Sequence, residues 1–188
     1  FALIGTIPVG AVVLVQKARI AALAASLAKL SMIDPLTGLC NRRELFARLG
    51  CASTTDGLAF AFFDIDHFKL INDRFGHQAG DLVLTGFSGL LRAQAPEDAL
   101  LVRLGGEEFG VLFSSGSPER ARLFAERMVT LARITPFDTP AGQLFITVSG
   151  GVSFGSASMS ADDLVGSADS ALYRAKSTGR DRICEAEI

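Results

Sequence analysis

Hydrophobic positions follow three different patterns along this chain. From Phe1 to Val15 they run without a single charge (FALIGTIPVGAVVLV). From Val13 to Leu30 they recur at Val13, Ile20, Leu23, Leu27 and Leu30, a heptad a/d spacing set in Ala-rich sequence that favours helix. Beyond residue 34, short apolar blocks of strand length alternate with amphipathic stretches of helical period. The first run falls short of the roughly 18–20 residues that span a bilayer, but it is open at its N-terminal side, and Lys17 and Arg19 follow at once. Residues 1–15 therefore read as the end of a transmembrane helix with its cytoplasmic flank at Lys17. A signal peptide would need a basic leading region and a clear cleavage site, neither of which is seen. A helix packed on its own domain is the remaining alternative. Residues 16–33 read as a helical stalk able to hold two copies together, or as one amphipathic helix, ending near Ile33 because Pro35 disfavours helical geometry at Asp34.

The third pattern predicts the body of the fold. Asn41 and Glu44 have capping spacing and open a helix to about Leu49, followed by a polar turn over Gly50 to Gly57. Leu58 to Phe63 (LAFAFF) is apolar at every position and predicts a central strand buried on both faces. Helices are predicted over Phe68 to Phe75 and over Asp81 to Ala93, the latter with Leu82, Leu84, Phe87 and Leu91 as its apolar stripe. Leu100 to Leu104 and Phe109 to Phe113 flank Gly105-Gly106 as a hairpin. Ser117 with Pro118 starts a helix to about Arg133. Phe145 to Phe154 is a strand whose Ser149, Gly150 and Gly151 permit close backbone approach. Ser160 to Lys176 is a last helix, and Arg182 to Glu185 a last strand. Helices interleaved with strands that include a hairpin predict a mixed α/β (α+β) class, a sheet covered by helices and not a purely parallel one.

Composition narrows the function. With 18 Lys and Arg against 20 Asp and Glu, the net charge of −2 lacks the basic footprint of a duplex binder, so no DNA or RNA partner is expected and any nucleotide chemistry concerns small nucleotides. Three widely spaced cysteines without a CxxC disfavour a disulfide framework or a zinc site.

Acidic residues collect where elements end. Asp64 and Asp66 close the apolar strand, and a carboxylate at the end of such a strand needs a cation or donors nearby. Asp66 is expected to cap the helix beginning near Phe68, which leaves Asp64 to be explained by a metal. Glu107 and Glu108 follow the glycine pair. On a strand they face opposite ways, so one can bind metal beside Asp64 while the other faces the substrate. Oxygen ligands without His or Cys point to Mg²⁺ or Mn²⁺ and suit phosphoryl transfer from a nucleoside triphosphate. Asn72 with Asp81 can read a guanine edge, and Lys176 with Arg180 can clamp phosphates. His67 and His77 read as structural or helix-end residues.

These residues stand in five ordered motifs: DPLTGLCNRR (34–43), FFDIDHFKLINDRFGHQAGD (62–81), RLGGEEF (103–109), ITVSGGVS (146–153) and ALYRAKSTGRDRI (171–183). With them, residues 34–188 resemble the catalytic domain of the GGDEF family of diguanylate cyclases, in its GGEEF form. The resemblance implies a central five-stranded sheet surrounded by helices, related to the palm of nucleotide cyclases and polymerases. It implies condensation of two GTP into cyclic di-(3′→5′)-GMP with release of two pyrophosphates, in a homodimer whose two domains each hold one GTP. By motif it implies that Asp64, Glu107 and the Ile65 carbonyl bind Mg²⁺ and that Glu108 lies near the attacking 3′-OH. It likewise implies that Asn72 and Asp81 read guanine, that Gly105 and Gly106 admit the nucleotide, and that Phe68, Lys69, Lys176 and Arg180 surround the phosphates. The domain is then expected on the cytoplasmic side of an inner membrane of a bacterium, anchored through 1–15. Many relatives carry an inhibitory product site, RxxD, ending five residues before the glycine pair. Here that stretch is Pro96-Glu97-Asp98-Ala99, so feedback through that site is expected to be absent. A non-catalytic binding module would be expected to have lost the glycines, Glu107 or Asp64, and none is lost. A cyclase of altered purine choice is opposed by Asn72 and Asp81.

Overall fold

The computed structural model describes residues 16, 17, 19, 31–51, 57–114, 117–155 and 159–187. The chain divides into two units, Phe1–Met32 and Ile33–Ile188. Of the first, Gln16, Lys17 and Arg19 are helical; the expected membrane segment 1–15 and most of the stalk lie outside the described residues, and residues 31–33, expected to end the helix, are not helical, Ile33 bridging to Cys40. Among the described residues no helix is long and apolar enough to cross a membrane.

The second unit begins with a turn over residues 34–39 and the two-residue strand β1 (Cys40–Asn41), followed by helix α1 (Arg42–Cys51). Next come β2 (Leu58–Ile65), α2 (Phe68–Phe75), α3 (His77–Gln94), β3 (Ala99–Gly105), β4 (Glu108–Phe113) and α4 (Pro118–Ile134). The chain closes with β5 (Phe137–Thr139), β6 (Gly142–Leu144), β7 (Val148–Gly155), α5 (Ala161–Ser177) and β8 (Ile183–Glu185). Sheet order is β1-β3-β4-β2-β7-β8, with β5 and β6 in a separate hairpin. β2 pairs antiparallel with both β4 and β7, while the edge pairs β1–β3 and β7–β8 are parallel. The mixed sheet and its covering helices agree with the class predicted from the sequence. The strand count differs from the five that the resemblance implies: the sixth is β1, which the 34–39 turn delivers onto the edge of β3.

The strand period explains the two-layer core. Ala59, Ala61, Phe63 and Ile65 join one cluster with Phe87, Leu91, Phe124 and Met128 of α3 and α4. Phe60 and Phe62 join another with Leu45 of α1 and Leu164, Val165, Ala168 and Leu172 of α5. Burial on both faces is why LAFAFF carries no polar alternation. Asp64 continues the even-numbered face and so projects toward α5.

Several boundaries move. α3 starts at His77 and not at Asp81, and its buried stripe uses Val83, with Leu82 exposed. α2 breaks at Gly76, whose φ of 83° lets α3 begin in a new direction at once. The strand expected from Phe145 starts only at Val148. The caps expected at Asn41 and Ser117 are formed, accepting from the N–H of Glu44 and Arg120, and Ser160 caps α5 in the same way, accepting from the N–H of Asp163.

Candidate active site

Asp64 and Glu108 are direct register partners across β2 and β4. They are therefore neighbours on one face of the sheet, beside each other and not beyond one another. Glu107 is not on the strand: it occupies the turn with Gly106, and its carbonyl accepts from the N–H of Ile65 at 3.3 Å. The sequence expectation that the two glutamates alternate on a strand is thus replaced by a turn glutamate and a strand glutamate. The two side chains still occupy different positions, one in a turn and one on a strand.

Asp64 is 6 % exposed. Burial drives its pKa up to about 6, aided by the charges of Glu107 and Glu108 and opposed by Lys176. Lys176 Nζ stands 2.7 Å from Asp64 Oδ2. Glu108 is raised as well, first by burial and then by Asp169 and Glu107, while Lys176 and Arg42 pull it down. Like charges gathered on a half-buried face are costly, and a cation relieves that cost. Among the described residues no three His, Cys, Asp or Glu side chains converge closely enough to enclose a metal by themselves. The donor set still fits a hard divalent ion that draws its remaining ligands from a substrate. Two carboxylates and a strand-end carbonyl are all oxygen donors, and the Lys176 ammonium already occupies a cation position on Asp64.

α5 brings Lys176 there because β7 offers it a face of small side chains. On that face stand Ser149, Gly151 and Ser153, and Ser153 Oγ donates to the Leu164 carbonyl at 2.6 Å. A Cβ at Gly151 would collide with the Ala168 carbonyl and the Leu172 amide, so helix and strand touch backbone to backbone. Beyond Lys176, Arg180 is exposed on the connection to β8.

The glycine turn is held from behind. Gly106 has φ 47°, and a Cβ on either glycine would meet open space, so the turn presents bare backbone outward. Arg103 donates from Nε and Nη2 to the Gly106 carbonyl at 3.1 and 2.7 Å, and from Nη1 to Asp34. Asp34 also accepts from the Thr37 amide and hydroxyl, and Arg92 reaches the Thr37 carbonyl. Burial pushes the Asp34 carboxyl up, but the Thr37 and Arg103 bonds outweigh it and the net shift is down. An open cleft of about 590 Å³ lies alongside, lined by Asn41, Arg42, Arg43, Phe46, Gly105 and Gly106 among others. Arg42 and Arg103 stand within the motifs, but only tertiary partners give them a role: Arg103 holds the glycine turn to Asp34, and Arg42 pulls against the raised pKa of Glu108.

α2 starts three residues after β2 ends, so its first turn stands at the Asp64 end of the sheet. The first N–H groups of a helix have no partner within it and suit anions. Lys69 is exposed there, but the Phe68 side chain is in the core, leaving only its backbone for a phosphate. Asn72 lies against Gly80 of α3, where a Cβ would collide with its Oδ1. This close approach sets Asn72 against the residue that precedes the exposed Asp81 in α3, at the crossing of the two helices. Asp66 is not a helix cap. α2 is preceded by His67 at φ 56° with no side-chain cap bond, and the Asp66 carboxylate instead receives Thr147, Ser149 and the Asp181 amide.

Comparison with known proteins places this geometry. The family model described as "Diguanylate cyclase, GGDEF domain" matches residues 31–182. Diguanylate cyclase DgcP of Pseudomonas aeruginosa is 42 % identical over 158 residues, covering 81 % of this chain and 24 % of that protein. The GGDEF domain of DgcB from Caulobacter crescentus, solved in complex with c-di-GMP, superposes with a TM-score of 0.77 at 32 % identity, covering 84 % of this chain and 94 % of that one. Diguanylate cyclase SiaD of P. aeruginosa, solved with its activator SiaC, superposes with a TM-score of 0.79 at 32 % identity, covering 95 % and 70 %. The chain spans a quarter to a half of the length of the first curated relatives it matches.

Proposed function

This chain belongs to the GGDEF-domain family of diguanylate cyclases, and on that premise we propose that it condenses two GTP molecules into cyclic di-(3′→5′)-GMP, releasing two pyrophosphates. The observation that carries the reading is the strand-end cluster: buried Asp64 with its pKa raised to about 6, register-paired with Glu108, flanked by the Glu107 turn and capped by Lys176. Asp64, Glu107 and the Ile65 carbonyl would hold Mg²⁺, with Mn²⁺ an acceptable substitute. When bound, the ion supplies Lewis-acid polarisation of the α-phosphate and charge neutralisation at the leaving pyrophosphate.

The remaining work falls to the chain's own groups. Asn72 and Asp81 orient guanine, the Asp81 carboxylate accepting from its N1–H and exocyclic amine, which adenine does not offer in that arrangement. Lys69, Lys176, Arg180 and the backbone at Phe68 hold phosphate oxygens. The bare turn at Gly105 and Gly106 lets the nucleotide lie close. Glu108, with its raised proton affinity, accepts the proton of the 3′-OH as that oxygen attacks the α-phosphate. One domain holds one GTP, and the second 3′-OH comes from a GTP on another copy, so a homodimer with the two sites face to face is the working form. The uncharged run 1–15 followed by Lys17 and Arg19 supports a membrane anchor with the catalytic domain on the cytoplasmic side. Residues 16–33 then set whether the half-sites meet.

The test is pyrophosphate release from GTP with Mg²⁺ across a wide range of protein concentration, with the nucleotide product identified. Cyclic di-GMP formed with a steeper-than-linear dependence on protein is the expected result. A dimer forced by a fused coiled coil that binds GTP and forms no product would instead favour a binding module.

A further inference from the structure

Asp66 is 5 % exposed, and among the described residues it forms no ion pair. Its carboxylate accepts from Thr147 Oγ1 at 2.8 Å, from the fully buried Ser149 Oγ at 2.7 Å and from the backbone N–H of Asp181 at 3.1 Å, while its own N–H donates to the Thr147 carbonyl at 2.9 Å. The end of β2, the entry to β7 and the connection from α5 to β8 therefore meet on one side chain. That last connection is strained: Gly179, Arg180 and Asp181 all have positive φ, of 125°, 60° and 51°, and two of them are not glycine. Non-glycine residues persist in that region only where surrounding contacts over-determine them. Here the contacts come from every side. The Arg180 N–H donates to the Ala175 carbonyl, Arg182 Nε donates to the Arg180 carbonyl, and Arg133 Nε pairs with Asp181 Oδ2 at 2.7 Å. Asp66 supplies the hold on the buried side.

We infer that Asp66 is a positioning residue for Arg180, and that Arg133 braces the same turn from the surface. Asp64 and Asp66 are two residues apart on one strand end. Through the Asp66–Asp181 bond the turn bearing Arg180 is fixed to the same backbone that carries Asp64, so the arginine is set to one place along a triphosphate whose metal end is set by that strand. Without the bond the turn loses its hold on the buried side, and the exposed Arg180 side chain loses its fixed distance from the Asp64 strand end. This inference rests on Arg180 being a phosphate ligand.

The test is a double-mutant cycle read by calorimetry, using a non-cleavable GTP analogue with Mg²⁺ on the full chain. Arg180→Ala is expected to weaken binding about tenfold, Asp66→Ala by a similar factor and Arg133→Met by about threefold. Combined with Arg180→Ala, neither other substitution should weaken binding further, because each acts through the group already removed. Equal loss in both backgrounds, or no loss from Asp66→Ala and Arg133→Met while Arg180→Ala weakens binding, overturns this inference alone. No loss from Arg180→Ala overturns its phosphate role and this inference with it. A shift in the Mg²⁺ requirement of Asp66→Ala, in place of the nucleotide effect, also overturns it by tracing the action to Asp64. Should Asp66→Ala fail to fold, the partly exposed Arg133→Met decides the question.

Discussion

At the residue scale, the burial of Asp64 has a consequence for stability that runs opposite to its use. Its folded-state pKa of about 6 lies above the ordinary 3.8. Between those values the folded chain binds more protons than the unfolded one, so this residue's contribution to stability falls as pH rises through the window. In metal-free protein, Asp64→Asn is expected to be more stable than the parent at pH 8, by the order of 1 kcal/mol or about 3 °C, with the difference vanishing toward pH 4. Thermal unfolding at the two pH values checks the sign, and the same variant should be inactive. Glu107 sits in the turn with its carbonyl tied to Ile65, so Glu107→Ala keeps the backbone bond and loses only the carboxylate. Turnover should fall more than about a hundredfold, since even groups that merely orient metal ligands cost that much, with the circular-dichroism spectrum unchanged. Asp81 is exposed, so Asp81→Ala should leave stability alone. It should narrow GTP over ATP selectivity by about 10- to 100-fold, the value of a lost charge-assisted bond, read as the ratio of kcat/KM for the two nucleotides.

At the scale of elements, the site is assembled by close approach. α5 lies against β7 only because Ser149, Gly151 and Ser153 face it, and this contact is what delivers Lys176 to Asp64. Gly151→Ala would drive a methyl into helix backbone that has nowhere to move. We expect a loss of about 3 kcal/mol in urea unfolding, together with weakened nucleotide binding. The α2–α3 crossing works the same way, Gly80 admitting Asn72. The 34–39 turn and the glycine turn form a third such contact, joined by the Arg103 guanidinium, whose planar fork serves the Gly106 carbonyl and Asp34 at once, a geometry that lysine does not reproduce.

At the scale of the whole molecule, charge and the connection before β3 bear on regulation. The chain carries a net charge of −2. Residues 96–98 lie in the turn between α3 and β3, Ala99 opens β3, and Asp98 pairs with Arg120 of α4 at 2.8 Å. With Asp98 committed within the fold and no arginine at position 96, titration of cyclic di-GMP into the working enzyme should leave the rate within about twofold of its starting value at concentrations far above the enzyme's own, absent competition at the substrate site. Tight inhibition abolished by substitutions in 96–99 would contradict this.

Most of the elements, and the candidate residues for the chemistry, were legible in the sequence. A run of six apolar residues is a buried strand, capping residues start helices, and a carboxylate ending such a strand needs a cation or donors, because these depend on local conformation and on solvation. Asp64, Glu107, Glu108, Asn72, Asp81 and Lys176 could be singled out on those grounds together with the family resemblance. The relations between segments distant in the chain, by contrast, come from packing alone. Register made Glu108 and not Glu107 the neighbour of Asp64, and the pairing of β1 gave the sheet a sixth strand. The hydrogen bonds of Asp66 turned an expected helix cap into the junction of three segments. Local spacing carries no record of such contacts, since the energy that selects them arises only when the segments are packed together.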